Sequence, residues 1–276
     1  MRDRLPISIL LIPFAMWIIG AGREFYLLGI LFIFWLASNE YVKMFRTGHS
    51  RPARPLVVGG SLLLIASREL DWLNPHGLLF AVIIIGALWW HLNDYERGTV
   101  TSGTDFAITV GGAFYLGWLG GYLIDLRNLP DGLWWLVTVM PGMWLADTGA
   151  YIFGRLWGRH KMAPRLSPNK TWEGYLGSVL CGALGAGLLT LFWRIGVGPG
   201  SLVNWPAGAL VGAVVGALGP IGDLGVSMLK RQIGVKDASD LLYGHGGALD
   251  RMDSWLVAAP VGYYLVLLLQ MLTKGP

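Results

Sequence analysis

The sequence predicts an all-α, polytopic integral membrane protein of about nine transmembrane helices, with its N-terminus in the cytoplasm. Three observations carry that prediction. The 276 residues are 54% hydrophobic and only 14% charged, with a mean hydropathy of +0.53, far from the balance of a soluble domain. Apolar windows recur from end to end, and roughly 20 apolar helical residues cross a hydrocarbon layer about 30 Å thick. The basic residues alternate from side to side, as they do where cytoplasmic loops hold the positive charge.

The windows fall at 5–21, 25–44, 55–67, 76–92, 105–124, 132–153, 175–193, 205–229 and 254–272. The first follows "MRDR" and resembles a signal peptide. It lacks a small-residue cleavage site and further apolar segments come at once, so it reads as a retained helix. The third is short, and either tilts together with its flanks or re-enters. The eighth is Gly-rich and interrupted by Pro220, and the ninth is opened by "DRMD". With 40 Gly and 14 Trp, the spans are expected to pack closely and to carry aromatic anchors at the water interfaces. Sixteen of the 21 Lys and Arg lie on the N-terminal side and on every second loop after it, against five on the other side. Nine crossings then place both long polar loops in the cytoplasm. The chain reads as one membrane-embedded domain, 1–276, in which 1–100 supplies N-terminal helices and 101–276 carries the chemistry.

Composition excludes several classes. A lone cysteine, Cys181, rules out an internal disulfide and a Cys-based zinc site. The net charge of +4 and pI near 9.2 do not point to nucleic acid, because no basic stripe with interleaved aromatics stands free of the apolar spans. A cation-coupled transporter would show internal pseudo-repeats and a central site; no repeat is seen, and the charges gather toward one side.

The chemistry is confined to two places. The first is "SMLKRQIGVKDASDLLYGHGGALDRMD", Ser227 to Asp253, with the preceding "GPIGD". Asp250 and Asp253 are three apart and share a helical face if they open the last span. Asp223 is a carboxylate at membrane depth, where it is costly unless paired, metal-bound or facing a wet cavity. Together the three make an oxygen-rich site suited to Mg²⁺, which binds through one or two carboxylates, water and substrate phosphates. The plainer alternatives are that Asp250 and Asp253 cap the last helix dipole and that Asp223 pairs with Lys230 or Arg231. "GHGG", Gly244 to Gly247, is either a flexible turn or a phosphate cradle with N–H groups aimed at an anion. Lys230, Arg231, Lys236 and Arg251 would neutralise a polyphosphate there, and His245 either donates to a phosphate or serves the structure.

The second place is "ADTGAYIFGRLWGRHKMAPRLSPNKTWEG", Ala146 to Gly174. Any cytoplasmic loop needs basic residues. "SPNKTWEG" adds hydroxyl, amide and carboxylate groups at high density, and Ser167, Asn169, Lys170, Thr171 and Glu173 read as the second half of a phosphate or nucleotide site.

These residues resemble the phosphatidate cytidylyltransferases, or CDP-diacylglycerol synthases. The family signature is matched in register by Ser227, Lys230, Arg231, Lys236, Asp237, Ser239, Leu242, His245, Gly246, Gly247, Ala248, Asp250, Arg251, Met252 and Asp253. Tyr243 departs from it, standing where the family has Pro or Gly, and Ala248 is smaller than usual. "DTGAY" and "SPNKTWEG" resemble the family's second conserved stretch; the first hundred residues match only as hydrophobic spans. The clustered "DG…AR…G…D…D" of the CDP-alcohol phosphotransferases is missing.

The resemblance implies that phosphatidate and CTP give CDP-diacylglycerol and pyrophosphate, with Mg²⁺ and room for a second cation such as K⁺. It implies cation binding at Asp223, Asp250 and Asp253, completed or tuned by Asp147. Catalysis would fall to Asp223, Lys230, Asp250 and Asp253. Substrate contacts would come from Ser167, Lys170, Thr171, Glu173, Ser227, Arg231, Lys236, Asp237, His245, Gly246, Gly247 and Arg251. Phosphatidate keeps its acyl chains in the lipid bilayer and CTP is cytosolic, so the site should lie at the cytoplasmic boundary. A homodimer is implied by the resemblance alone. A chain this compact, without a targeting extension, reads as bacterial, which would place it in the inner (plasma) membrane.

Overall fold

The computed structural model describes residues 18–20, 22–70, 76–198, 200–239 and 247–274. The expected first span, 5–21, lies almost wholly outside them. The described chain runs α1 (Arg23–Thr47), α2 (Arg54–Ala66), α3 (His76–Glu96), α4 (Ser102–Asn128), α5 (Gly132–Trp157), β1 (Lys161–Ala163), β2 (Ser167–Thr171), α6 (Trp172–Trp193), α7 (Trp205–Leu218), α8 (Pro220–Ile233), α9 (Leu249–Met252) and α10 (Trp255–Lys274). Among the described residues six helical stretches are long and apolar enough to cross a membrane: α1, α3, α4, α6, α7 with α8, and α9 with α10. The short apolar α2 is the expected third segment.

Exposure supports the membrane reading. Leu176, Leu180, Leu184 and Leu188, four apart on α6, are all exposed, as are Leu78, Val82, Ile85 and Trp89 on α3. Such continuous apolar faces are unfavourable in water and need hydrocarbon around them.

Packing inside the bundle depends on missing side chains. A Cβ on Gly212 of α7 would strike the Gly182 carbonyl of α6, and one on Gly149 of α5 would strike Cys181 of α6. Ser178 Oγ donates to the Gly216 carbonyl across the same contact at 2.8 Å. Backbones this close gain dispersion and polar contact where lipid supplies no hydrophobic drive. They set α5, α6 and α7 as one block.

The structure refines two elements. The loop after α5 contains an antiparallel hairpin in which Lys161 pairs with Thr171 and Ala163 with Ser167. The window 205–229 is two helices, because Pro220 has no N–H to continue the backbone ladder and a turn residue, Gly219, separates them.

At the far end of the bundle Arg23 bonds Asn128 and pairs with Glu69. Nearby, Arg68 pairs with Asp125 at 2.9 Å and lies 3.7 Å from the Trp118 ring centroid. These polar groups fasten α1, α2 and α4 at the end away from the cavity described next.

Candidate active site

A cavity of about 420 Å³ opens where α5, the hairpin, α6, α8 and the start of the last span meet. It joins the two stretches singled out in the sequence. Asp147 comes from α5, Asn169, Lys170 and Thr171 from β2, Asp223 from α8, and Asp250 and Asp253 from the α9 segment.

Local structure aims these groups. Thr171 ends β2 and accepts from the Gly174 N–H at 3.2 Å, capping α6. Glu173 accepts from the N–H groups of Arg159 and His160 at 3.1 and 3.2 Å and meets His160 Nδ1 at 2.6 Å. It thereby closes the base of the hairpin. Lys170 is left to reach across to α8, where Nζ lies 2.6 Å from Asp223 Oδ2 and 3.4 Å from the Pro220 carbonyl. Ser227 Oγ donates to the other Asp223 oxygen at 3.3 Å. A Cβ on Gly222 would collide with the Asp253 carbonyl, so this glycine lets α8 approach the Asp253 turn.

Asp250 is fully engaged by protein donors. Lys230 Nζ lies 2.6 Å from Oδ1, and the N–H groups of Ala238 and Gly247 reach Oδ2 at 2.9 and 3.0 Å. Among the described residues Asp253 Oδ1 accepts only a short local bond from the Ser254 N–H, at 2.6 Å. Neither Asp147 nor Asp253 has a Lys or Arg partner among the described residues. Asp223 repels both, while Lys170 attracts Asp147 and Lys230 attracts Asp253 from beyond pairing distance. The cavity therefore holds four carboxylates, two of them in ion pairs and two without an ion-pair partner among the described residues. Among the described residues no three acidic, His or Cys side chains close into a finished cation cage. The donor set nonetheless fits a hard cation such as Mg²⁺, which needs one or two carboxylates and takes its remaining ligands from water and phosphate.

Several expectations change. Asp223 pairs with Lys170, not with Lys230 or Arg231; Lys230 is committed to Asp250. The Gly247 N–H donates to the Asp250 carboxylate. Glu173 serves the hairpin outside the cavity lining, and Ser167 pairs within the hairpin. Arg231 donates to the Val235 carbonyl. Lys236, Asp237 and Arg251 are exposed away from the cavity lining. Gly246, His245 and Tyr243 lie outside the described residues.

Three residues given no role by the sequence belong to the site or touch it. Tyr151 and Tyr175 line the cavity; Tyr151 ends the quoted "DTGAY" and Tyr175 directly follows "SPNKTWEG". Glu40 of α1 is buried and bonds Ser239 and Leu249 beside the cavity. An acid in mid-helix was the available signal, since ionisable groups at membrane depth carry function by default.

Residues 2–269 match the profile of the cytidylyltransferase family. A phosphatidate cytidylyltransferase of Synechocystis is 33% identical over 282 residues, covering 90% of each chain. One of Mycobacterium leprae is 34% identical over 254 residues, 87% of this chain and 78% of that one. One of Staphylococcus haemolyticus is 39% identical over 151 residues, 55% of each chain. With a profile that spans nearly the whole chain and relatives aligned over most of it, the chain belongs to the cytidylyltransferase family.

Proposed function

We propose that this protein is a phosphatidate cytidylyltransferase, transferring CMP from CTP to phosphatidate and releasing pyrophosphate. The observation that carries this reading is that Lys170, Asp147, Asp223 and Asp253 line one cavity at one end of an apolar bundle, with Lys170 paired to Asp223. The relatives' names support it. The lipid phosphate oxygen attacks the α-phosphorus of CTP, the bond from that phosphorus to the bridging oxygen breaks, and pyrophosphate leaves with the electron pair. No side-chain nucleophile is needed, so the protein's work is positioning and charge.

Lys170 binds a phosphate once released from Asp223, and Tyr151 and Tyr175 offer flat walls to the nucleotide. Asp223 and Asp253, with Asp147, would hold Mg²⁺, which when bound neutralises phosphate charge and orients the triphosphate. Asp250 and Lys230 hold the segment that carries Asp253. The hairpin is cytoplasmic: six long spans, α2, α5 and the first apolar segment make nine crossings with the N-terminus inside, and the loop charges favour that orientation.

Protein purified in detergent, given labelled CTP, phosphatidate and Mg²⁺, is expected to form lipid-linked CMP and to stop when the divalent cation is chelated. Absence of product where a control enzyme works sinks the reaction. Undiminished turnover under chelation removes the cation assignment alone.

A further inference from the structure

Glu40 is a buried acid on α1, 5% exposed, and it works on a segment some two hundred residues away in sequence. Its Oε1 accepts from Ser239 Oγ at 2.6 Å and its Oε2 from the Leu249 N–H at 2.8 Å. Among the described residues no Lys, Arg or His pairs with it. A carboxylate this deep is tolerated because both oxygens are taken by hydrogen-bond donors. The contact is also shaped around it, since a Cβ on Gly247 would run into the carboxylate. Leu249 opens α9, directly before Asp250. Glu40 and Asp250 thus hold 238–239 on one side to 247–249 on the other.

We infer that Glu40 is a positioning residue for the proposed transfer: it pins the start of α9 and so sets where Asp250 and Asp253 stand in the cavity. This rests on the proposed reaction and adds a requirement to it. An N-terminal helix, outside the stretches whose motifs speak of chemistry, completes the site. Glu40 does so by geometry and not by charge.

The distinction can be tested with a glutamine. In Glu40→Gln the amide oxygen can accept from the Leu249 N–H while its NH₂ donates to Ser239 Oγ. Turnover is expected to stay within about threefold of the parent, because both bonds survive. Glu40→Ala loses both, and kcat should fall roughly tenfold to a hundredfold. The KM for phosphatidate should change little. Gly247→Ala should fall in the same way, and the double variant Glu40→Ala with Gly247→Ala no further than the worse single, because both damage one contact. Equal loss in the glutamine and alanine variants overturns the inference, as does a double variant in which the losses multiply.

Hydrogen exchange at the Leu249 amide gives a readout independent of catalysis. It should quicken in Glu40→Ala and stay slow in Glu40→Gln; unchanged exchange in the alanine variant overturns the contact. If Glu40→Ala does not fold, Ser239→Ala and Gly247→Ala carry the same comparison. A parent protein without transfer activity refutes the reaction, and the exchange pattern still decides whether Glu40 positions α9.

Discussion

Lys230 and Asp250 form an ion pair at 2.6 Å with side chains only 11% and 12% exposed. Removing one partner of a buried pair leaves the other charge stranded and costs about 3–5 kcal/mol. Asp250→Asn and Lys230→Met are each expected to lose stability of that order, and the double variant less than their sum. Thermal unfolding in detergent measures both. Among the described residues Asp253 bonds only the adjacent Ser254, so Asp253→Asn should leave unfolding within about 1 kcal/mol of the parent. Its CMP transfer should drop by roughly a hundredfold or more, as when a charge-stabilising group is removed from an active site. Normal turnover in that variant would take Asp253 out of the site. The sequence made the acids and bases of this window visible, but not their pairing. Lys230 could have served Asp223, Asp250 or Asp253, and spacing within one segment does not decide among partners that a fold brings in from elsewhere. Lys170 is the example, arriving at Asp223 from the hairpin.

Among the elements, the helices were legible because apolar length is nearly sufficient to define a span. The hairpin was not: a three-residue strand and a five-residue strand containing Pro168 carry no alternation to read. Its position depends on Glu173 and Thr171, polar residues that the sequence offers equally well to a ligand. Glycine content predicted close packing without saying which glycines matter, and the structure separates them. Gly212→Ala must push α6 from α7 and should cost about 1–3 kcal/mol, as overpacking does. Gly111→Ala, where an added Cβ meets nothing within 4 Å, should be neutral or stabilise by up to about 1 kcal/mol through helix propensity. Unfolding of the two variants side by side tests the assignment; equal effects would mean that the α6 and α7 backbones do not touch as described.

For the whole molecule, the polar groups divide between two ends. The α6 helix, 22 residues from Trp172 to Trp193, spans about 33 Å at 1.5 Å per residue, which matches a bilayer core. The hairpin stands at one end and Arg194 at the other. In a Cys181→Ser background, Arg165→Cys should resist an impermeant thiol reagent added outside intact cells and label after permeabilisation. Arg194→Cys should label from outside. The reverse pattern overturns the proposed orientation. Charge asymmetry is the sequence feature on which this proposed sidedness rests. The part played by α1 was not legible there, since one glutamate in an apolar window names no partner. The Lys170–Asp223 bridge adds a property of the whole cavity, because it spends the cation and one of the anions on each other. A phosphate that takes Lys170 strips Asp223 of its partner, and a cation that takes Asp223 sets Lys170 free. By thermodynamic reciprocity each ligand then strengthens the binding of the other by the same factor. Either one arriving alone would first have to break the bridge, so under the proposed function phosphate and cation would bind cooperatively.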